Sequence, residues 1–389
     1  AYEIPKRDWS SDVCSSDLGG IVWPHANALQ QRQASAARLA AARLASRGAA
    51  PLHRVAEARG CPSVNAPATF ADFFEPGRNR LGTMRHVLAL AVLVDHAFIL
   101  EGTGGVLNST GYQTGLGGLA VASFFVLSGA LITASWEHSG SAWQFARNRV
   151  LRIFPGYLAC LLVTALIIGP LAWALRPASA ADYWKLEPGP VSYVFSNSLL
   201  MQFQNRIGDL FATHHEAYSI NGSLWSIPWE AGCYAMVAVL GAAGVLRRWP
   251  VGVVVCMLAV LANIFLFPPG SIFGRVYLSE RNILLPVYFL AGASFYLFHH
   301  RIPRRASLGA LALAGTVWGG CFNWPLTAAF CLPYLLFYVA GLAVPPKGFP
   351  RRQHPDFSYG IYIYADRKST SELQSRFGIS YAVFCLKKK

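Results

Sequence analysis

The chain has 389 residues, 54% of them hydrophobic and only 13% charged, with a mean hydropathy of +0.36, which excludes an ordinary soluble domain and points to a polytopic membrane protein. A formal charge of +14 does not make it a nucleic-acid binder, because Lys and Arg sit in short groups between apolar runs rather than in one tract. Of the eight cysteines, Cys160, Cys233, Cys256, Cys321 and Cys331 lie in or beside apolar segments without a Cys-x-x-Cys pair, so neither a disulfide framework nor a zinc site is expected.

Residues 1–18 begin without Met and have neither helical nor strand period. Together with the tail from Asp366 to Lys389 they resemble translated sequencing-adapter read-through, and both are set aside as non-native. The N-terminus lacks the charged, apolar, small-residue order of a secretory signal. The Ala- and Arg-rich residues 19–68 receive no function, and 69–365 is read as the membrane domain. Between Thr69 and Arg80 aromatic and charged residues mix, as suits a short interfacial segment.

Apolar runs then predict spans at about 86–100, 118–136, 150–174, 225–246, 251–268, 283–298, 306–321, 325–344 and from 357 onward. The fold class is an all-α polytopic bundle of about nine or ten spans. Its last helix runs into the non-native tail and is read as truncated. The first span is short unless its helix begins before Arg85. A partly apolar stretch at Val191–Phe203 is where an additional re-entrant or spanning piece can enter. Lys and Arg near the span ends number 14 on one side against five on the other, which predicts a cytoplasmic N-terminus and an outward-facing connection over about 175–224.

Charge interrupts the first span at Arg85, Asp95 and His96. An eleven-residue offset returns to within about 20° on a helix and rises roughly 16 Å, so Arg85 and His96 share one stripe, with His96 expected near mid-depth or a little beyond. An ionisable group at such depth is by default a functional candidate. Asp95 points about 100° away from His96 and needs a partner of its own. His96 alone is also compatible with a histidine satisfied by a neighbouring helix, and Arg85 alone with a cytoplasmic-end arginine.

Four short motifs follow in order: Arg85-x10-His96; Ser123-Phe124-Phe125-Val126-Leu127-Ser128-Gly129-Ala130-Leu131-Ile132; Arg149-Val150-Leu151-Arg152; and Asn221-Gly222-Ser223-Leu224-Trp225-Ser226-Ile227-Pro228-Trp229-Glu230. Together they resemble the membrane-bound acyltransferase-3 family, which includes O-acetyltransferases of bacterial surface polysaccharides. The resemblance spans about residues 70–365, and Ser358-Tyr359-Gly360-Ile361-Tyr362 is similar to the start of a late family helix. Asp95 departs from the family pattern, which usually has an uncharged residue there.

The resemblance implies an inner-membrane enzyme moving an acyl group, with acetyl expected, from acyl-CoA to a hydroxyl of an envelope glycan or glycolipid. His96 can act as general base, because an imidazole titrates near neutral pH, or as acyl carrier. Arg85 can support His96 through an intermediate group or bind donor phosphate. Arg149 and Arg152, three apart on one face, are expected to grip the donor, with headgroup anchoring the competing use. Glu230 reads as a carboxylate orienting the acceptor or a proton, with helix capping as the competing use. Asn221, Ser223 and Trp225 are expected on the acceptor side, although a Trp at this boundary also anchors the interface. His214-His215 has no ligand partners at regular spacing, and no metal is expected. No bound cofactor is expected beyond acetyl-CoA or another acyl-CoA as co-substrate. The rival reading is a proton-coupled transporter or flippase built on Asp95 and His96. It predicts pseudo-symmetric halves, which the sequence does not display.

Overall fold

The computed structural model describes residues 69–71, 73–74, 79–100, 105–107, 111–176, 179–210, 220–266, 280–342 and 359–360, and among them β-structure is limited to isolated bridge residues, Thr69 with Pro303 being one pair. Expectations for residues 1–68 and 366–389, for His214-His215, and for all of the last apolar run except Tyr359 and Gly360 fall outside the described residues.

The helices are α1 (Leu81–Leu100), α2 (Leu116–His138), α3 (Ala142–Ala174, with a π-helical stretch at Thr164–Ile168), α4 (Pro190–Asn197), α5 (Ile227–Ala242), α6 (Pro250–Leu266), α7 (Glu280–Phe298), α8 (Ala306–Phe322) and α9 (Trp324–Leu342). Among the described residues, four segments are long and apolar enough to cross a bilayer: Leu81–Ile99, Leu116–His138, Ala142–Ala174 and Trp324–Leu342. Pro250–Ala262, Leu284–Phe298 and Ala306–Phe322 are shorter apolar helices. The expected count of nine or ten spans is therefore not reproduced. The 225–246 run shows why: α5 has 16 residues, roughly 24 Å of rise, and the chain breaks at Gly244, whose φ of +74° suits glycine.

α2 is the axis of the bundle, with 72% of its apolar window buried against 17% for α1. It crosses α7 backbone to backbone. A Cβ at Gly129 would collide with the carbonyl of Phe289, and one at Gly292 with the carbonyl of Val126. Reciprocal glycines are what allow two membrane helices this approach. Exposed Leu, Val, Phe and Trp side chains such as Val87, Leu90, Leu166 and Leu311 face outward, as a lipid-facing surface requires.

Basic side chains gather at one end of the bundle. Arg80 there donates its backbone amide to Ala340 O (3.2 Å), Arg304 lies over Gly341, Trp136 packs on Gly241, and Tyr296 Oη donates to Glu137 Oε2 (2.8 Å). Those contacts join the start of α1 to the ends of α2, α5, α7 and α9, so Arg247, Arg248, Arg301 and Arg305 belong to the same end. At the opposite end Gln113 fastens the α8–α9 turn. Its amide donates to Gly320 O (2.6 Å), its Nε2 to Phe322 O (2.9 Å), and its Oε1 accepts from Trp324 N (2.8 Å). Helix-end groups that would otherwise lack partners are thereby satisfied.

Asp95 also acts at this opposite end. It is buried, its Oδ1 accepts the amide of Val106 (2.8 Å), and Gly117 leaves room for its carboxyl. The departure from the family pattern is thus a tie between α1 and the chain entering α2. Asp95→Ala strands that amide and is expected to cost about 1–3 kcal/mol in thermal unfolding of the detergent-solubilised chain. Asp95→Asn keeps an acceptor and should lose less.

Residues 179–210 of the 175–224 connection pack back on α3. Tyr183 Oη donates to Ala165 O (2.7 Å), and Tyr157 Oη donates to Asn197 O (2.9 Å). Asn197 and Gln204 then close a loop, Nδ2 to Gln204 O at 2.8 Å and Gln204 N to Oδ1 at 3.1 Å. The apolar Val191–Phe203 stretch is thus an eight-residue helix and a bonded loop reaching about midway along α3, not a further span.

Candidate active site

α1 begins at Leu81, ahead of Arg85, so Arg85 lies in its second turn and His96 only four residues before its end. Their separation along the stripe remains roughly 16 Å. His96 thus lies in the last third of the helix. Both side chains are half-buried.

With Asn221 bonded to Cys160 on α3, α5 starts inside the bundle, and its first turn meets α1 and α2. Arg85, Phe124, Phe125, Ser128, Ser226, Glu230 and Tyr359 line one narrow cleft of about 40 Å³. That volume admits a few waters but is well below the roughly 300–1,000 Å³ of a formed ligand pocket. The cleft brings together Arg85 and Glu230, and His96 is not in its lining.

Glu230 accepts a hydrogen bond from Tyr234 Oη one turn further on α5. This bond is to a side chain rather than to an open helix amide, and Ser226 at the N-cap makes no side-chain cap. Arg149 is buried behind this pair. Its Nη2 donates to Ser135 Oγ (3.2 Å), and its guanidinium lies 5.6 Å from the ring centroid of Phe145 and 6.0 Å from that of Tyr234. Arg152, one turn along α3, acts electrostatically on both Tyr234 and Tyr359. Arg85 and Glu230 thus place opposite charges on the lining of one narrow cleft. Tyr359 Oη donates to Ile153 O (3.2 Å), and its ring fits because Gly156 carries no side chain.

The Asn221–Ser226 element is an interlocked turn. Asn221 Nδ2 donates to Cys160 Sγ (3.0 Å), Ser223 Oγ to Asn221 Oδ1 (2.9 Å), Gln202 Nε2 to Asn221 O (3.2 Å) and Ser226 Oγ to Ser223 O (3.4 Å). Asn221 and Ser223 are buried, and Trp225 is half-buried against the core. Pinned to α3, the turn delivers Ser226 and Glu230 to the cleft while Asn221, Ser223 and Trp225 stay outside its lining. Among the described residues no three His, Cys, Asp or Glu side chains converge as a metal site would require.

Tyr234, Ser128 and Ser226 did not stand out as functional positions in the sequence. The signal for Tyr234 is its i+4 spacing from Glu230, and the two serines sit inside motifs already recognised, at Leu127-Ser128-Gly129 and Trp225-Ser226.

Comparison with known proteins bears on this arrangement. A family model described as an acyltransferase domain matches residues 78–364. The chain is 29% identical over 303 residues to an O-acetyl transferase of Shigella phage Sf6, covering 74% of this chain and 83% of that protein. It is 27% identical over 330 residues to nodulation protein 10 of Rhizobium leguminosarum bv. viciae, covering 74% of this chain and 82% of that protein. No solved structure matches the chain significantly. A match from Arg78 to Tyr364 takes in all four motifs and the whole Arg85–Glu230 cleft, and on it the chain belongs to the acyltransferase-3 family and is an O-acyltransferase.

Proposed function

We propose that the protein transfers an acetyl group from acetyl-CoA to a hydroxyl of a cell-envelope glycan or glycolipid in the bacterial inner membrane, with the basic end of the bundle in the cytoplasm. The observation that carries this reading is the meeting of Arg85 and Glu230 in one cleft, with Tyr234 bonded to Glu230 and Arg149 fixed behind it. Ester formation needs a base to take the hydroxyl proton and positive charge near the thioester carbonyl as its oxygen becomes anionic; the acyl–sulfur bond breaks, and coenzyme A leaves as the thiol with that proton. His96 supplies the base or carries the acyl group. Arg85, Arg149 and Arg152 hold the donor at a station roughly 16 Å along the α1 stripe from His96, and Glu230 orients the acceptor or a proton. Asn221, Ser223 and Trp225 shape the acceptor side through the turn they build. The positive-inside tendency supports the orientation, since arginines collect at one end. The acetyl assignment is supported by the likeness to the O-acetyl transferase of Shigella phage Sf6.

The test is transfer of labelled acetyl from acetyl-CoA to envelope glycan in membranes carrying the full chain. Absence of label in the glycan alongside a folded protein sinks the reading. Replacing both Arg149 and Arg152 with Gln is expected to raise KM for the thioester by about tenfold or more, since charge-assisted contacts are lost. An unchanged KM removes these residues from the donor side. Arg149→Gln also breaks a buried contact, so folded protein must be verified by thermal melting.

A further inference from the structure

A second cavity, larger than the Arg85–Glu230 cleft, lies at the basic end, between the α2–α3 turn and the turn that follows α5. It holds about 610 Å³, within the range of small-molecule sites. Its floor includes Trp136, packed on Gly241 and edge-on to Phe145 (5.1 Å between ring centroids). Its rim carries Arg247 and Arg248, both exposed, and its far wall is Ser141 at the start of α3. The single acid in the lining, Glu137, is held by Tyr296 on α7.

The feature is constructed. Gly244 sits at φ +74°, ending α5 and turning the chain so that Val245–Arg248 forms one helical turn and Arg248 folds back to 3.7 Å from a Cβ position on Gly244. Two guanidiniums are thereby set over a cavity with an aromatic floor. Headgroup anchoring accounts for arginines at this level, but not for the cavity beneath them.

We propose that this cavity binds a nucleotide phosphate ester, namely the nucleotide end of the coenzyme A thioester, with Arg247 and Arg248 as the phosphate ligands. The proposal rests on the acyl-CoA donor assigned above. Distance supports it. Glu230 and Gly241 are eleven residues apart on α5, and Ser128 and Trp136 eight apart on α2, so cavity and cleft are separated by roughly 12–16 Å. The arm joining the nucleotide to the sulfur has about twelve bonds, the reach of about four extended residues or roughly 14 Å. Arg149, Ser135 and Phe145 occupy the seam between the two sites. Phosphate at Arg247 and Arg248 thus leaves Arg149 and Arg152 for the thioester end.

Phosphate can also come from lipid headgroups, and the test separates the sources. Coenzyme A is titrated onto the purified full chain in nanodiscs of phosphatidylcholine alone, with adenosine 3′,5′-bisphosphate as competitor. Arg247→Gln with Arg248→Gln should weaken coenzyme A binding at least about tenfold and abolish the competition, whereas the double Lys variant keeps most affinity. Ala242→Trp, which fills the cavity from an exposed lining position, should do the same without removing charge. Unchanged binding in both the Gln and Trp variants overturns the proposal. So does a difference that appears only in nanodiscs containing phosphatidylglycerol, which assigns the arginines to lipid. If the unmodified chain binds no coenzyme A yet its membranes transfer acyl groups from another donor, the donor assignment itself fails.

Discussion

His96→Ala is expected to lower acetyl transfer by about 10²–10⁴-fold, the usual contribution of a positioned general base, while leaving thermal melting of the protein nearly unchanged. The side chain is half-buried near the end of α1, four residues from Leu100, and its removal opens no large core cavity. An experiment on the parent chain separates the two roles open to this residue. A single turnover with labelled acetyl-CoA and no acceptor leaves label on the chain if His96 carries the acyl group, and none if it acts only as base. Undiminished glycan acetylation in His96→Ala removes the residue from the chemistry in either role.

Gly129→Val should be the most damaging single change to folding. A side chain at Gly129 meets the backbone of α7 at Phe289 and Ala293, and backbone cannot rotate out of the way as a side chain can. The helices must separate at the centre of the bundle, which costs at least the 1–3 kcal/mol typical of overpacking and here is expected to abolish folded protein. Gly129→Ala should already lower the melting temperature measurably. Gly232→Ala, where nothing lies within 4 Å, is the control and should leave it nearly unchanged. Equal melting of Gly129→Val and the parent chain would refute the crossing.

The positions of the long helices were legible because membrane helices are runs of apolar residues. Predicted spans at 118–136, 283–298, 306–321 and 325–344 correspond to α2, α7, α8 and α9 within a few residues. The first and third began later than the helices, because α1 and α3 start in polar stretches, Leu81–His86 and Ala142–Arg149, that hydropathy alone does not assign to a membrane helix. The 225–246 run misled for the opposite reason: it is apolar beyond its helix, and Gly244 with the turn after it ends α5 early. Asp95 was recognised as a buried charge in need of a partner, but Val106 N, across the loop into α2, could not be named from spacing.

The site divides along the same line. Local order along the chain determined the family motifs, the shared stripe of Arg85 and His96, and the clustering of arginines near span ends. Tertiary structure decided which of these residues meet. Arg85 and Glu230 are 145 positions apart, and they face one cleft only because Tyr157 and Cys160 hold the 175–224 connection against α3 and start α5 inside the bundle. Periodicity reports which face of a helix a residue occupies. It carries no information on which other helix that face will meet, because that is set by backbone approach at Gly129 and Gly292 and by hydrogen bonds between segments remote in sequence.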